Sequence, residues 1–256
     1  MNETSMNAEP VGGSGEKTSP SLGRLGIAGI LLYFLIHSGV WTGLVLLVPG
    51  SDRVSFEYLG DMSTPWVRQF IVPLVVVLLL QVIFLSYLGN QTGLGWREVF
   101  TDQRRTAKQW LWLPVGGFVL MSMVGSTLIS GWNEAGVRYA VGLAGTVLLV
   151  GITEEVSFRG VTLVWGRRVF SKEWQAAVFA TCLFGLFHLP NTLLGNPLQA
   201  ELIHVVQTAA LGMMFYVMRR LSGNLWLPII VHAVWDYVIL QSNWDVISSV
   251  KAVKGL

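Results

Sequence analysis

The chain has 256 residues, of which 52% are hydrophobic and only 12% charged, with a mean hydropathy of +0.56 and a formal net charge of +2. Soluble domains carry about 25% charged residues, and several apolar runs here approach or exceed the ~20 residues that cross a bilayer. The composition therefore excludes a soluble enzyme, a disordered chain and a coiled coil. The small net charge is spread between apolar runs, which excludes a nucleic-acid surface, and the single cysteine, Cys182, excludes an internal disulfide or a multi-cysteine metal site.

In chain order, residues 1–22 are rich in Ser, Gly, Asn, Glu and Pro, a composition that predicts a disordered cytoplasmic tail. The next stretch, Leu25–Val48, has no charge and is too long for a signal-peptide core, so it reads as the first span. Further spans are expected over Phe70–Leu88, Leu111–Ile129, Tyr139–Trp165, Ala176–Leu189, Leu202–Met218 and Leu225–Leu240. The predicted fold is an all-α, polytopic transmembrane helical bundle of about seven spans, within a range of six to eight. It forms a single domain over 23–256.

Lysine and arginine alternate between loops as the positive-inside rule requires. With the N-terminus inside, cytoplasmic segments hold 11 of them, including Arg104, Arg105, Arg167, Arg219 and Arg220, and outer segments hold 5. Trp66, Trp110, Trp112, Trp132, Trp165, Trp174, Trp226 and Trp244 fall near span ends, where indoles favour the headgroup boundary. No internal repeat is evident, which disfavours a transporter built from two related halves.

The fourth span is unusual. Its run Gly151-Ile152-Thr153-Glu154-Glu155-Val156-Ser157-Phe158-Arg159-Gly160 buries two carboxylates and a guanidinium in an apolar context. Each costs roughly 2.5–3.5 kcal/mol at the bilayer centre on insertion scales. Glu155 and Arg159 stand at i and i+4 and can pair on one helix face. Glu154 lies about 100° away with no basic residue at i+3 or i+4, so its partner must come from another span. His188 ends the run Phe184-Gly185-Leu186-Phe187-His188, while His232 and Asp236 share a face one turn apart. His37 and His204 are read as packing residues, and Asn191, after Pro190, as a turn residue.

A carboxylate and imidazoles meeting in a shielded cavity are the parts of hydrolysis: the acid takes a proton from water, one histidine orients that water or binds a metal, and another polar group holds the oxyanion. The His-Glu-x-x-His motif of zinc proteases is absent. The three motifs, Glu154-Glu155-x-x-x-Arg159, Phe184-x-x-x-His188 and His232-x-x-x-Asp236, resemble in order those of the CAAX prenyl endopeptidase and bacteriocin-processing (Abi, CPBP) family of intramembrane proteases. The family-like core spans about 139–240. The third motif ends in Asn or Asp across that family, with Asn in the eukaryotic endopeptidases.

The resemblance implies that Glu154 and His188 activate water, that His232 and Asp236 hold the oxyanion or water, and that Glu155, Arg159 and Phe184 support them. It implies an endopeptidase acting on a hydrophobic or membrane-tethered peptide, a prenylated CAAX-like or leader peptide among them, within membrane lipid and without nucleic acid. A bacterial cytoplasmic membrane with the N-terminus cytoplasmic is the expected location. Glu154, His188 and His232 are also the set that would hold a zinc or other divalent metal, and a metal-free route is the alternative. A non-catalytic immunity or scaffold protein of the same fold is the competing function.

Overall fold

The structure, a computed structural model, describes residues 20–47, 62–89, 94–102, 104–106, 108–128 and 132–254. The predicted tail lies outside the described residues except for its last three, which already belong to the first helix. That helix, α1 (Pro20–Leu46), is followed by α2 (64–89), a short α3 (Trp96–Phe100), α4 (Trp112–Leu128), α5 (132–169), α6 (Glu173–Phe187), α7 (Leu198–Ser222) and α8 (Trp226–Lys254). Among the described residues all regular elements are helical, as the apolar runs predict. Five helical stretches among the described residues are long and apolar enough to cross a membrane: Leu25–Leu46, Thr64–Tyr87, Gly136–Val169, Glu173–Leu194 and Leu198–Ser222. Gln109–Met121 and Trp226–Gln241 are shorter apolar helices. Within the described residues each predicted span falls on a helix, and of the last three, Ala176–Leu189 and Leu202–Met218 sit within the longer stretches Glu173–Leu194 and Leu198–Ser222, while Leu225–Leu240 coincides with the short helix Trp226–Gln241.

Local chemistry sets the helix boundaries. Ser63 accepts the Trp66 amide at 3.2 Å ahead of Pro65, a residue suited to a first helical turn because it has no amide to satisfy. Gly223, at φ 76°, closes α7 in the left-handed conformation. Asn224 then caps α8, its Oδ1 accepting the Trp226 and Leu227 amides at 3.0 and 3.3 Å. The sharp α7–α8 turn that results brings the two helices side by side.

Helix α5 is the spine of the bundle, packing against α8, α2, α6 and α1. Gly151 permits a close approach of α5 to α8. A Cβ there would lie 2.9 Å from the Ile229 carbonyl oxygen, so the α5 and α8 backbones meet where a larger residue would hold them apart. Midway along α5, residues Val156–Thr162 form π turns before α-helix resumes at Leu163–Val169. A π turn shifts the register of the side chains beyond it and is characteristic of functional sites. Here it begins directly after Glu155, and all seven of its residues are buried.

At the end of the bundle holding Arg104, Arg167 and Arg219, the 94–106 segment is stapled to the α7–α8 turn. The Asp102 amide donates to Gly223 O at 2.9 Å and the Leu225 amide to Phe100 O at 3.0 Å. Asp102 accepts both terminal nitrogens of Arg167 at 3.1 and 3.0 Å, and Glu173 accepts from Arg167, Arg104 and Arg220. Arg219, fully buried, donates to the carbonyls of Glu98 and Thr101 at 3.1 and 3.2 Å and to that of Arg159 in the π segment. Trp165, read from sequence as a boundary anchor, is instead 3% exposed and part of the core with Ile30 and Val161. The hydrophobic effect places it there because α1 crosses α5 at Gly29, whose missing side chain leaves room for the indole. Trp110, Trp112, Trp174 and Trp226 are exposed as boundary residues should be.

Candidate active site

The α5–α8 contact sets the fourth-span acids against the face of α8 that carries His232. Glu155, with no exposed surface, is the hub. Its Oε1 accepts Arg159 Nη1 at 2.8 Å, the i,i+4 pair, and His232 Nδ1 at 2.9 Å. Since a carboxylate only accepts, that second bond places a proton on His232 Nδ1. The other ring nitrogen, Nε2, then faces two further acids, Asp236 Oδ2 at 3.5 Å and Glu154 Oε2 at 3.7 Å. Glu154, whose side chain is 12% exposed, makes no closer ion pair or hydrogen bond than this. Three carboxyls therefore converge on one guanidinium and one imidazole: Glu155 takes both at hydrogen-bond distance, while Glu154 and Asp236 share only the far nitrogen of His232.

Arg159 is enclosed by protein, with Nη2 buried and without a hydrogen-bond partner. Its Nε donates to Gly212 O at 3.4 Å, and its guanidinium carbon sits 3.9 Å above the Phe184 ring and 5.2 Å from that of Phe215. Such cation–π contacts retain a charge where water is excluded. Gly212 makes this possible, because a Cβ there would stand 2.7 Å from Arg159 Nη2 and 3.0 Å from Phe184. Phe215 also stacks on His232 at 4.7 Å and 17°, so the same two phenyl rings fix the cation and the imidazole.

His188 reaches the cluster through Phe184. The ring of Phe184 lies 5.2 Å from His188 on one side and 5.9 Å from His232 on the other. His188 Nδ1–H donates to the Phe184 carbonyl at 3.0 Å, which leaves Nε2 as the nitrogen free for chemistry. The structure thus links Glu154, Glu155, Arg159, His232, Asp236 and Phe184 in one cluster centred on His232 and sets His188 one ring away, without a hydrogen bond to Glu154.

Two residues read from sequence as ordinary lie beside His188. His204 approaches its ring at 4.9 Å, and His204 Nδ1–H donates to Glu201 Oε2 at 3.2 Å. Glu201, 4% exposed, also accepts Asn196 Nδ2 at 2.6 Å and Asn191 Nδ2 at 3.5 Å, so Asn191 ties the turn after His188 to α7. One signal was legible: Glu201 and His204 are at i and i+3, on one helix face. His37 packs its ring 5.1 Å from Phe187 and 6.0 Å from Phe158, and neither of its ring nitrogens is hydrogen-bonded.

The donor geometry does not fit a metal held by Glu154, His188 and His232. His232 and His188 each commit Nδ1 to an oxygen acceptor, which leaves Nε2 as the atom that would ligate, but among the described residues no three His, Cys, Asp or Glu side chains converge as metal ligands. Ligands at the ~2.0–2.2 Å of a zinc site would require these rings to move.

Residues 136–238 match the family model described as type II CAAX prenyl endopeptidase Rce1-like, the family whose motifs the sequence resembles. The matched segment contains Glu154, Glu155, Arg159, Phe184, His188, His232 and Asp236. Neither the curated proteins nor the solved structures contain a match.

Proposed function

We propose that the protein is an intramembrane endopeptidase that hydrolyses a peptide bond in a hydrophobic or membrane-tethered peptide, with Glu154 as general base. The observation that carries this reading is the asymmetry between two adjacent acids. Glu155 Oε1 accepts from both Arg159 and His232, at 2.8 and 2.9 Å, whereas neither oxygen of Glu154 has a partner closer than 3.7 Å. A carboxylate with no hydrogen bond to spend is one that can accept a proton from water.

The reaction follows from the remaining contacts. Water attacks the scissile carbonyl carbon as its proton passes to Glu154. His188, its proton on Nδ1, can accept from the attacking water at Nε2 and orient it, while His232, set among three acids, can as an imidazolium donate from Nε2 to the oxyanion. Collapse of the tetrahedral intermediate breaks the C–N bond, and the proton on Glu154 passes to the leaving amine. Glu155, Arg159, Phe184 and Phe215 hold His232 in orientation and stay out of the proton transfers. This route uses water directly and no metal. The family name makes prenylated CAAX peptides the first substrates to try, with leader-type hydrophobic peptides beside them.

The test is incubation of detergent-purified protein with prenylated and unprenylated hydrophobic peptides, with and without chelator, read by mass spectrometry. Cleavage by wild type, insensitive to chelator and absent in Glu154→Gln, is the expected result. Cleavage by Glu154→Gln at the wild-type rate would overturn the assignment, and no product from any peptide would favour a scaffold of the same fold.

A further inference from the structure

On the side of α5 away from the acids, α1 and α2 enclose a cavity of about 450 Å³. That is within the ~300–1,000 Å³ range of small-molecule sites. It follows α1 from Leu25 to Val40, a rise of ~22 Å, so it is a slot with the proportions of a hydrocarbon chain. Its walls are apolar, with Leu32, Leu80 and Phe84 among them, and Leu32 and Leu80 are exposed on the outer rim. In a membrane that rim meets lipid.

The floor is different. Tyr33, His37 and Gln81 line it, and two of them have hydrogen-bonding atoms with nothing to bond. Gln81, 4% exposed, spends its amide nitrogen on Thr153 O at 2.6 Å and Ser157 Oγ at 2.7 Å, which leaves Oε1 buried and unpartnered. His37, 8% exposed, has neither ring nitrogen bonded. A neutral imidazole carries one N–H and one acceptor nitrogen. The floor therefore presents an acceptor on Gln81 and a donor on His37, facing a slot that opens toward hydrocarbon. Buried polar groups of this kind are costly unless something bonds them.

We propose that the α1–α2 slot binds a neutral single-chain lipid alcohol, its hydroxyl donating to Gln81 Oε1 and accepting from His37. A hydroxyl supplies both roles from one atom. The depth excludes charged headgroups: His37 is twelve residues past Leu25, ~18 Å along the helix, near the middle of a ~30 Å hydrocarbon core. A phosphate there would meet no cation. A neutral hydroxyl with a chain along the slot satisfies both the walls and the floor. This inference stands apart from the peptidase reading, since neither His37 nor Gln81 contacts Glu154 or His232.

The experiment uses the full chain in nanodiscs with a photoreactive analogue of hexadecanol, the labelled peptides being identified by mass spectrometry. Labelling should fall on 25–40 and 77–84, and hexadecanol should compete at least about tenfold better than hexadecane, the scale of one hydrogen bond. His37→Phe keeps the ring's packing and breaks no protein hydrogen bond, so it should weaken competition by hexadecanol by about tenfold. Ala28→Trp, filling the slot from its exposed rim, should abolish labelling at unchanged thermal stability. Glu154→Gln protein should label like wild type, which separates this outcome from that of the peptidase assay. Equal competition by hexadecane, by phosphatidylglycerol or by an apolar peptide would overturn the proposal, as would undiminished binding by His37→Phe.

Discussion

Alanine at two neighbouring positions should give opposite results. Glu155→Ala removes the only acceptor for Arg159 Nη1, at 2.8 Å, and for His232 Nδ1, at 2.9 Å, from a site without exposed surface. Breaking a buried pair by deleting one partner costs about 3–5 kcal/mol, chiefly because the other charge stays behind. For a chain of this size that is a fall in melting temperature of roughly 6–20 °C. Glu154→Ala removes a carboxyl whose nearest partner is 3.7 Å away, beyond a hydrogen bond. Its stability cost should stay under about 1 kcal/mol, while loss of a general base should lower turnover by about 10²–10⁴. Thermal unfolding in detergent, followed by intrinsic tryptophan fluorescence, and peptide cleavage read by mass spectrometry measure the two quantities on the same preparations. Equal losses of melting temperature in the two variants would refute the division of labour between these acids. So would an active, folded Glu154→Ala.

Other perturbations probe the supports of the site. Arg159→Met should cost about 3–5 kcal/mol alone, and the double variant Glu155→Met with Arg159→Met should recover a substantial part of that, because no uncompensated charge remains; strictly additive losses in a denaturation cycle would contradict the coupling. Gly212→Ala puts a Cβ 2.7 Å from Arg159 Nη2 and 3.0 Å from Phe184, and overpacking of this kind should cost about 1–3 kcal/mol and lower activity; a variant with wild-type melting temperature and turnover would show that the helices yield. His204→Ala removes the ring 4.9 Å from His188 and should lower kcat by about ten- to a hundredfold through misplacement, whereas His204→Phe should retain most of it; equal loss in both would shift the role from the ring to its nitrogen. Asp102→Asn keeps shape but weakens two bonds from Arg167 at 3.1 and 3.0 Å in a fully buried side chain, for an expected loss of about 1.5–3 kcal/mol that added salt should not mimic in wild type, since buried pairs are screened little.

What was legible in the sequence depended on the range over which each signal acts. Apolar length is local, so the spans were readable, and i,i+4 spacing is local, so the Glu155–Arg159 pair and the shared face of His232 and Asp236 were readable too. Register across helices was not. Nothing in Gly151 or Gly212 as letters says that one lets α8 approach α5 and the other makes room for a guanidinium, and these two absences of a side chain decide that His232 bonds Glu155 while only facing Glu154. The π segment was equally hidden, because the turn from Val156 to Thr162 has no composition of its own; it is held by contacts such as the donation from buried Arg219 to the Arg159 carbonyl. That contact also changes how the basic residues are understood. Arg104, Arg167, Arg219 and Arg220 were counted as topology signals, yet each bonds an acid or a carbonyl in the structure. Charge that orients a helix in the bilayer can also bolt its end to the neighbouring loops, and in this bundle the bolt runs from Asp102 through Arg219 to the backbone of Arg159, one residue pair away from the proposed base.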